Sequence, residues 1–381
     1  MTGRDAHAAT APLRVGVIGC GVVSGTYLGN RHLFESFEIV ACADLDASRA
    51  EARAAEFAIP RACSVDELLN DPNVDAVLNL TVPTAHASVS LAALEAGKHV
   101  FVEKPLAVSL ADGRRILEVA KERGLRVGVA PDTFLGAGLQ TCRALLDQMR
   151  IGAPVAASAF MLGHGHESWH PDPAFFYQVG GGPLLDMGPY YVTALVVLLG
   201  PVQRVTAASR ITFPERRITS EPRRGQVIRV EVPTHIAGVL EFASGAIASL
   251  VTTFDVWGGT APRLEIYGTT GTLLAPDPQA FGGPVFLLEP STRRWTEVGL
   301  SHGFADNSRG LGLSDMARAL GTGRPHRASG ELGLHVLEIM HGLLLAAQEG
   351  RHYTLASTCG LPEALPVGFG LKRPADRFNS S

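Results

Sequence analysis

The stretch LRVGVIGCGVVS (residues 13–24) decides the fold of the first part of this 381-residue chain. The apolar run from Leu13 to Ile18 predicts a buried strand, and glycines follow it at once before a helical pattern begins. Gly19 permits a tight turn, and Gly21, which has no Cβ, lets a pyrophosphate approach the amides at the helix N-terminus. With the small Ser24 in the third position, this strand–turn–helix predicts a dinucleotide site.

A carboxylate at the end of the next apolar run favours NAD over NADP. The run from Phe37 to Ala43 predicts a second strand, and Asp44 follows it, 23 residues after Gly21. A carboxylate there can accept both hydroxyls of the adenosine ribose and would repel a 2′-phosphate. Arg49 keeps NADP open, because it lies one turn into the next helix as either a phosphate clamp or an ordinary exposed arginine.

Strand and helix signals alternate as far as Pro131. Short, fully apolar strands joined by helices predict a parallel sheet with helices on both faces, a doubly wound Rossmann fold. The further strands are predicted at residues 76–80, 99–102 and 125–129. Helix starts are predicted at a capping box of Ser64 and Glu67, at Thr84 for a helix that runs to Ala96, and at Ser109 with Asp112.

Beyond residue 131 the pattern changes to an α+β domain with an open, mostly antiparallel sheet. Runs rich in Val, Ile, Thr and Phe predict strands at residues 154–162, 202–213, 227–242, 246–257, 263–267 and 285–288, with hairpin turns at 244–245 and 268–271. Helices are predicted at 139–149, 314–320 and 331–347, and the arginine-rich piece 214–225 as a solvated loop. The predicted division is a tail (1–12), the Rossmann domain (13–131), a substrate and oligomerisation domain (132–370) and a second tail (371–381).

Composition narrows the class of partner. The chain has 33 Lys plus Arg against 37 Asp plus Glu, a net charge of −4, which argues against nucleic acid. The five cysteines form no CxxC pair, the first dozen residues have no apolar core of an export signal, and the longest apolar stretch is only residues 190–199. These features predict a cytoplasmic protein with reduced thiols and no membrane span.

Glu103-Lys104-Pro105 follows a buried strand, at the sheet edge where open α/β sheets bind ligands. Only four of the 33 basic residues are lysines, so a lysine at this edge indicates a task that arginine cannot perform. Arginine stays charged in proteins, whereas burial can lower the pKa of a lysine until it exchanges a proton. We therefore expect Lys104 to be functional.

A second polar group lies in MLGHGHESWHPDPAFFYQVGGGPLLDMGPYY (residues 161–191). A glycine-rich break precedes a helix on which Asp186 and Tyr190, four residues apart, share one face. A zinc site in the preceding loop would lack a fourth ligand, so we expect no metal there; the loop contacts a sugar or consists of ordinary loop histidines. Its candidate residues are His164, His166, Trp169 and His170.

The chain resembles the glucose–fructose oxidoreductase/inositol dehydrogenase (Gfo/Idh/MocA) family from about Leu13 to Tyr353. Five motifs stand in the family's order: VGVIGCGVVS (15–24), TVPTAH (81–86), VEKP (102–105), APDTFLGAG (130–138) and GGGPLLDMGPYY (180–191). The resemblance implies a Rossmann domain followed by an open-sheet domain through which members assemble as dimers or tetramers. It also implies an NAD(P)-dependent oxidoreductase acting on a sugar or cyclitol.

The resemblance implies roles for individual residues. The pyrophosphate turn would comprise Gly19, Gly21, Val22 and Val23, the ribose contact would be Asp44, and the loop beside the nicotinamide would comprise Thr81, Val82, Pro83 and His86. Glu103 and Lys104 match the motif that faces the nicotinamide and substrate, with Lys104–Pro105 a candidate cis bond. Many members have histidine where this chain has Tyr190, and tyrosine is similar to glucose–fructose oxidoreductase and dihydrodiol or xylose dehydrogenases.

These residues suggest hydride transfer between the nicotinamide and a carbinol or keto carbon. Tyr190 would exchange the hydroxyl proton, the Lys104 ammonium would favour its phenolate, and Asp186 would position the substrate, which His164, His166 and Trp169 would also contact. Two other functions remain open at this point. One is a non-catalytic NAD-binding sensor, and the other is an NAD-dependent glycosidase of the same fold.

Overall fold

The computed structural model describes residues 11–370. The tails expected at 1–12 and 371–381 lie outside these residues, apart from Ala11 and Pro12. The first part of the described chain forms a six-stranded sheet in the order β3-β2-β1-β4-β5-β6, in which every neighbouring pair is parallel. Its elements are β1 (Leu13–Ile18), α1 (Val22–Asn30), β2 (Phe37–Ala43), α2 (Ala47–Phe57), β3 (Ala62–Cys63), α3 (Val65–Leu69), β4 (Ala76–Asn79), α4 (His86–Glu95), β5 (His99–Val102), α5 (Leu110–Glu122) and β6 (Val127–Val129).

The order of this sheet confirms the predicted Rossmann fold and locates its ligand edge. The strands are apolar and buried because helices cover both faces. Consecutive strands run outward from β1 in one direction and from β4 in the other. The carboxyl ends of β1 and β4 therefore flank the crevice where such sheets bind ligands.

Helix caps in this domain follow the sequence with one exception. Ser64 and Glu67 form the predicted capping box, and the Ser109 hydroxyl accepts from the Asp112 amide at 3.0 Å. The predicted cap at Thr84 is wrong. That residue lies inside a 3₁₀ turn (Pro83–Ala85), and α4 begins after it without a side-chain cap.

The second part is built on a nine-stranded sheet in the order β16-β15-β14-β13-β7-β12-β11-β8-β17. Neighbours are antiparallel except for the parallel pair β7 and β12, so the expected sheet type is confirmed. Its elements are α6 (Ala137–Asp147), β7 (Pro154–Leu162), α7 (Gly182–Asp186), α8 (Gly188–Leu199), β8 (Val202–Arg210), β9 (Glu215–Arg217), β10 (Val227–Arg229), β11 (His235–Phe242), β12 (Ile247–Thr253), β13 (Leu264–Gly268), β14 (Gly271–Ala275), β15 (Val285–Leu288), β16 (Trp295–Val298), α9 (Leu311–Thr322), α10 (Gly330–Glu349) and β17 (Tyr353–Thr354).

The single strand expected at residues 227–242 is two strands. β10 pairs with β9 in a separate two-stranded sheet, and only β11 joins the large sheet. The arginine-rich segment is therefore not simply a solvated loop. Arg216 of β9 is 6% exposed and forms ion pairs with Glu167, at 3.0 Å, and with Asp255. Two carboxylates thus offset the cost of burying this guanidinium.

Helix α10 connects the two parts of the fold. It packs against strand β6 of the first sheet, against helix α5 of the same domain, and against strand β8 of the second sheet. Among the described residues it is the one helix long and apolar enough to cross a membrane by length and composition, yet 61% of its apolar window is buried inside the protein. Its His335 is fully buried, as expected of a core position, and accepts the Val202 amide at 3.0 Å. These contacts mark α10 as a core helix.

Candidate active site

The glycine turn between β1 and α1 leaves helix amides open to an anion. Gly19 has φ +101°, and a Cβ there would lie 2.6 Å from the Leu80 carbonyl carbon, so only glycine fits. A Cβ on Gly21 would meet nothing within 4 Å, and no side chain caps α1. Val22 is 87% exposed at the same end. The open amides and the positive end of the helix dipole fit a pyrophosphate.

Asp44 is fixed beside this turn. Its Oδ2 accepts the Cys20 amide at 2.7 Å and its Oδ1 accepts the Asp46 amide at 3.0 Å. The carboxylate remains partly exposed, with lone pairs left for ribose hydroxyls. Arg49 is an exposed side chain that pairs with Asp46 at 3.4 Å. This arrangement fits NAD better than NADP, because the carboxylate lies at the turn and the nearby arginine already has an anionic partner.

The loop after β4 is braced by a histidine that the sequence analysis expected at the cofactor. Val82 is 64% exposed, whereas His86 is 1% exposed. The His86 Nδ1 lies 2.7 Å from the Pro105 carbonyl oxygen, and its Nε2 lies 3.0 Å from the Thr81 carbonyl oxygen. Both ring nitrogens therefore face backbone carbonyls, and a cofactor contact from His86 stays a prediction. His86 ties the β4 loop to the β5 loop.

The Glu103-Lys104-Pro105 segment directs its two charged side chains differently. Lys104–Pro105 is a cis peptide bond, as expected. Glu103 is buried; its Oε1 accepts from the Tyr27 hydroxyl at 2.8 Å and its Oε2 from the Lys104 amide at 2.9 Å. The carboxylate therefore faces α1 and supports the segment from behind, and its expected contact with the cofactor stays a prediction.

Lys104 and Asp186 form a partly buried ion pair between the two domains. The Lys104 Nζ lies 2.8 Å from Asp186 Oδ1 and 2.7 Å from the Asp186 carbonyl oxygen. Burial alone would lower the pKa of Lys104, but the nearby acidic groups, Asp186 first, outweigh it and raise the pKa. Burial would likewise raise the pKa of Asp186, but Lys104 and His166 lower it. The expectation that burial makes Lys104 a proton-exchanging group is wrong, because its charge is held by Asp186.

Tyr190 approaches this pair from a second helix. Asp186 ends α7 and Tyr190 lies in the first turn of α8, so the single helix expected to carry both is interrupted at Met187. The Lys104 Nζ is 5.4 Å from the centre of the Tyr190 ring, and it makes no hydrogen bond with the hydroxyl. The Tyr190 hydroxyl instead accepts from Arg309 Nη2 at 3.0 Å.

Sequence reasoning missed Arg309 and Tyr27. Arg309 lies 119 residues from Tyr190 along the chain, in a loop without any recognisable motif, so no local spacing links the two. Tyr27 offered a weak signal, because it is an aromatic residue in the helix that follows the glycine turn.

The histidine loop after β7 places its members differently. His166 is buried, stacks on Phe176 with 3.7 Å between ring centres, and has its Nε2 3.4 Å from Asp186 Oδ2. His164 stacks on Trp257 at 3.6 Å, which places it beside an aromatic residue that the sequence analysis did not single out. Trp169 is 63% exposed and lies 5.2 Å from the His166 ring.

His170 turns towards its own loop, since its Nδ1 accepts the Asp172 amide and its carbonyl accepts the Ser220 hydroxyl. Within residues 11–370 no group of three or more His, Cys, Asp or Glu side chains is arranged to hold a metal ion.

The site thus joins an anion-binding turn on a Rossmann sheet to an ionised pair and a phenol contributed across the domain boundary. That combination defines the class: a dinucleotide-dependent oxidoreductase.

The comparisons name the family. Residues 13–130 match the model of the oxidoreductase family with an NAD-binding Rossmann fold, and residues 139–274 match the GFO/IDH/MocA C-terminal domain. The chain belongs to the Gfo/Idh/MocA oxidoreductase family, and its first domain is the family's NAD-binding domain.

Two relatives and one solved structure illustrate the match. The chain is 30% identical over 267 residues to 1,5-anhydro-D-fructose reductase of Ensifer adhaerens, covering 68% of this chain and 75% of that one. It is 25% identical over 353 residues to myo-inositol 2-dehydrogenase of Thermotoga maritima, covering 91% and 100%. A crystal structure of an NAD-binding oxidoreductase from Klebsiella pneumoniae shares the fold, with a TM-score of 0.80, 21% identity and coverage of 91% and 100%.

Proposed function

We propose that this oxidoreductase transfers a hydride between NAD and a carbinol or keto carbon of a sugar, sugar derivative or cyclitol. The observation that carries the proposal is the group formed by Lys104, Asp186 and Tyr190 at the carboxyl edge of the sheet that bears the glycine turn. The relatives named above act on an anhydrosugar and a cyclitol, which supports this substrate class.

The nicotinamide, when bound, supplies the hydride acceptor or donor. On oxidation Tyr190, as the phenolate, takes the proton of the substrate hydroxyl and becomes the phenol, and on reduction the phenol gives that proton to the new alkoxide oxygen. Asp186 fixes the Lys104 ammonium through two short hydrogen bonds, so that a remaining N–H can donate to the substrate oxygen. His166, held against Asp186, completes the polar side of the substrate position. The two domains thus contribute opposite sides of one site.

Exposed aromatic rings beside the polar group support a sugar substrate. Trp257, stacked on His164, is 87% exposed, and the Trp169 ring is tilted 48° against the His166 ring. Flat aromatic faces suit the apolar C–H faces of a pyranose or cyclitol, while hydroxyl groups need polar partners such as Lys104 and His166. The loop after β7 offers both kinds of surface.

The proposal is tested by mixing the protein with NAD⁺ and a panel of polyols, cyclitols and aldoses, and with NADH and ketosugars, while absorbance at 340 nm is followed. We expect cofactor turnover with at least one member of the panel and a preference for NAD(H) over NADP(H). Stable absorbance across the whole panel, with cofactor binding shown by fluorescence, would contradict the proposal.

We also propose a homodimer or homotetramer in the cytoplasm, without a nucleic-acid or membrane partner. Strand β12 alternates exposed Ile247 and Ser249 with buried Ala248 and Leu250, so one face of the large sheet is packed and the other is open to a second copy. The five cysteines are unpaired, which suits a reducing compartment.

We also propose that the boundary between the two domains lies near residue 131, which the end of β6 at Val129 supports.

A further inference from the structure

We propose that Arg309 is a catalytic residue of this site: its guanidinium, and not the Lys104 ammonium, stabilises the negative charge that forms on the Tyr190 oxygen. The inference rests on the proposed function, in which a proton moves at that oxygen. Arg309 touches the reacting atom directly, with Nη2 3.0 Å from Oη.

The two cations near Tyr190 differ in the groups to which they are hydrogen-bonded. The Lys104 Nζ gives two hydrogen bonds to Asp186 and meets Tyr190 only through the face of the ring. Arg309, in contrast, forms no ion pair within 4.0 Å with any carboxylate of residues 11–370. Its charge is therefore the one available to a phenolate.

The charged and titratable groups around Tyr190 come from every element packed there. They are Lys104 and Glu103 after β5, Asp132 after β6, whose carboxylate accepts the Gly310 and Gly312 amides, Asp186 in α7 with His166 behind it, Tyr27 of α1, and Arg309 before α9. Lys104 with Asp186 is close to a neutral pair, and Glu103 is turned to Tyr27. A phenolate would consequently add a negative charge whose direct partner is the guanidinium.

Burial strengthens this contact. Tyr190 is 6% exposed, so solvent screens little of the attraction between the guanidinium and a phenolate. A hydrogen bond from a charged donor is stronger than one between neutral groups, and it strengthens again when the acceptor becomes an anion. Arginine retains its proton throughout, so Tyr190 remains the group that exchanges the proton.

The loop that carries Arg309 is fixed from both sides. The Asn30 side chain at the end of α1 donates to the carbonyls of Asn307 at 3.0 Å and Arg309 at 3.2 Å. Asp132, which follows β6, accepts the amides of Gly310 at 2.9 Å and Gly312 at 3.0 Å. The helix that begins at the nucleotide turn therefore also fixes the backbone that carries Arg309, as expected of a preorganised donor.

The test is the pH profile of kcat/KM for substrate oxidation in Arg309→Gln and Arg309→Lys, with NADH binding measured in parallel. Loss of a charged hydrogen bond to the reacting oxygen should reduce kcat about 10- to 100-fold at neutral pH and move the rising limb of the profile about 1–2 pH units upward. Lysine should restore part of both, while NADH affinity stays within a few-fold. Arg318→Gln, an exposed arginine on α9, serves as the matched control and should behave as wild type.

If Arg309 had a purely structural role, Arg309→Gln would lower activity without shifting the rising limb of the pH profile. That result overturns the inference. If that variant fails to fold, the position of the limb in Arg309→Lys decides in the same way. Tyr190→Phe separates this inference from the proposed function. If it is inactive while the limb of the Arg309 variants is unmoved, only the role of Arg309 fails. If it is fully active, proton transfer at Tyr190 fails.

Discussion

Replacing Asp186 with asparagine should destabilise the second domain while preserving side-chain size. The change removes the carboxylate that accepts from Lys104 at 2.8 Å and lies 3.4 Å from His166. Breaking a buried ion pair costs about 3–5 kcal/mol, because the remaining charge loses its partner. Here the Lys104 Nζ keeps its bond to the Asp186 carbonyl, and the two side chains retain 17% and 15% exposure. We therefore expect Asp186→Asn to lower the free energy of unfolding by about 2–3 kcal/mol.

The pH dependence of this loss follows from the direction of the shift. The pKa of Asp186 is lower in the folded protein, so its ionised form stabilises the fold above its unfolded value of about 4. That stability is lost as the pH falls through the folded pKa. The raised pKa of Lys104 keeps the ammonium charged at neutral pH. The difference between wild type and Asp186→Asn should thus be present in full at neutral pH and shrink below about pH 4.

Urea unfolding followed by tryptophan fluorescence measures this difference, since Trp169, Trp257 and Trp295 all lie in the second domain. Asp172→Asn is the matched control, because that carboxylate belongs to an exposed pair with Arg223 and should leave the midpoint nearly unchanged. An Asp186→Asn midpoint equal to that of wild type at neutral pH, or a difference in unfolding free energy that persists undiminished below about pH 4, would show that this ion pair does not stabilise the fold.

Three further predictions concern activity. Lys104→Met should lower kcat/KM about 10²- to 10⁴-fold with NADH binding retained, as judged by fluorescence titration, and near-normal turnover would contradict its place in the site. Asp44→Asn should raise the ratio of kcat/KM for NADP to that for NAD about tenfold, because the charge that repels a 2′-phosphate is gone; an unchanged ratio would remove Asp44 from cofactor selection. Trp257→Ala should raise the sugar KM about 3- to 10-fold with kcat within about twofold, whereas Trp295→Ala at the far sheet edge should change neither. Equal effects of the two tryptophan variants would argue against a sugar contact at Trp257.

The sequence predicts most of the Rossmann half, because its signals are local. The strand from Leu13 to Ile18, the turn at Gly19 and the cap at Ser109 each depend on residues within a few positions of one another. Fully apolar strands also require helices on both faces, which fixes the sheet type. These features follow from short-range pattern and are found as predicted.

The site was harder to predict where contacts are distant in sequence. Arg309, which donates to the Tyr190 hydroxyl, lies 119 residues from it along the chain. Glu167, which pairs with the buried Arg216, lies 49 residues from that arginine. No periodic pattern links either pair. The four-residue spacing of Asp186 and Tyr190 predicted one helix that carries both residues. The interruption of that helix at Met187 depends on how α7 and α8 pack, which the spacing does not show. The predicted lowering of the Lys104 pKa is likewise wrong, because the pKa depends on Asp186, which lies 82 residues away along the chain.

The proposed reaction moves a hydride between a sugar-like carbinol carbon and NAD. Incubation with NAD⁺ and a substrate deuterated at the reacting carbon, followed by NMR of the reduced cofactor, tests it most directly. We expect deuterium at C4 of the nicotinamide with the wild-type protein and none with Tyr190→Phe. Reduced cofactor without the label, or no reduced cofactor with any sugar or cyclitol that the protein binds, would contradict it.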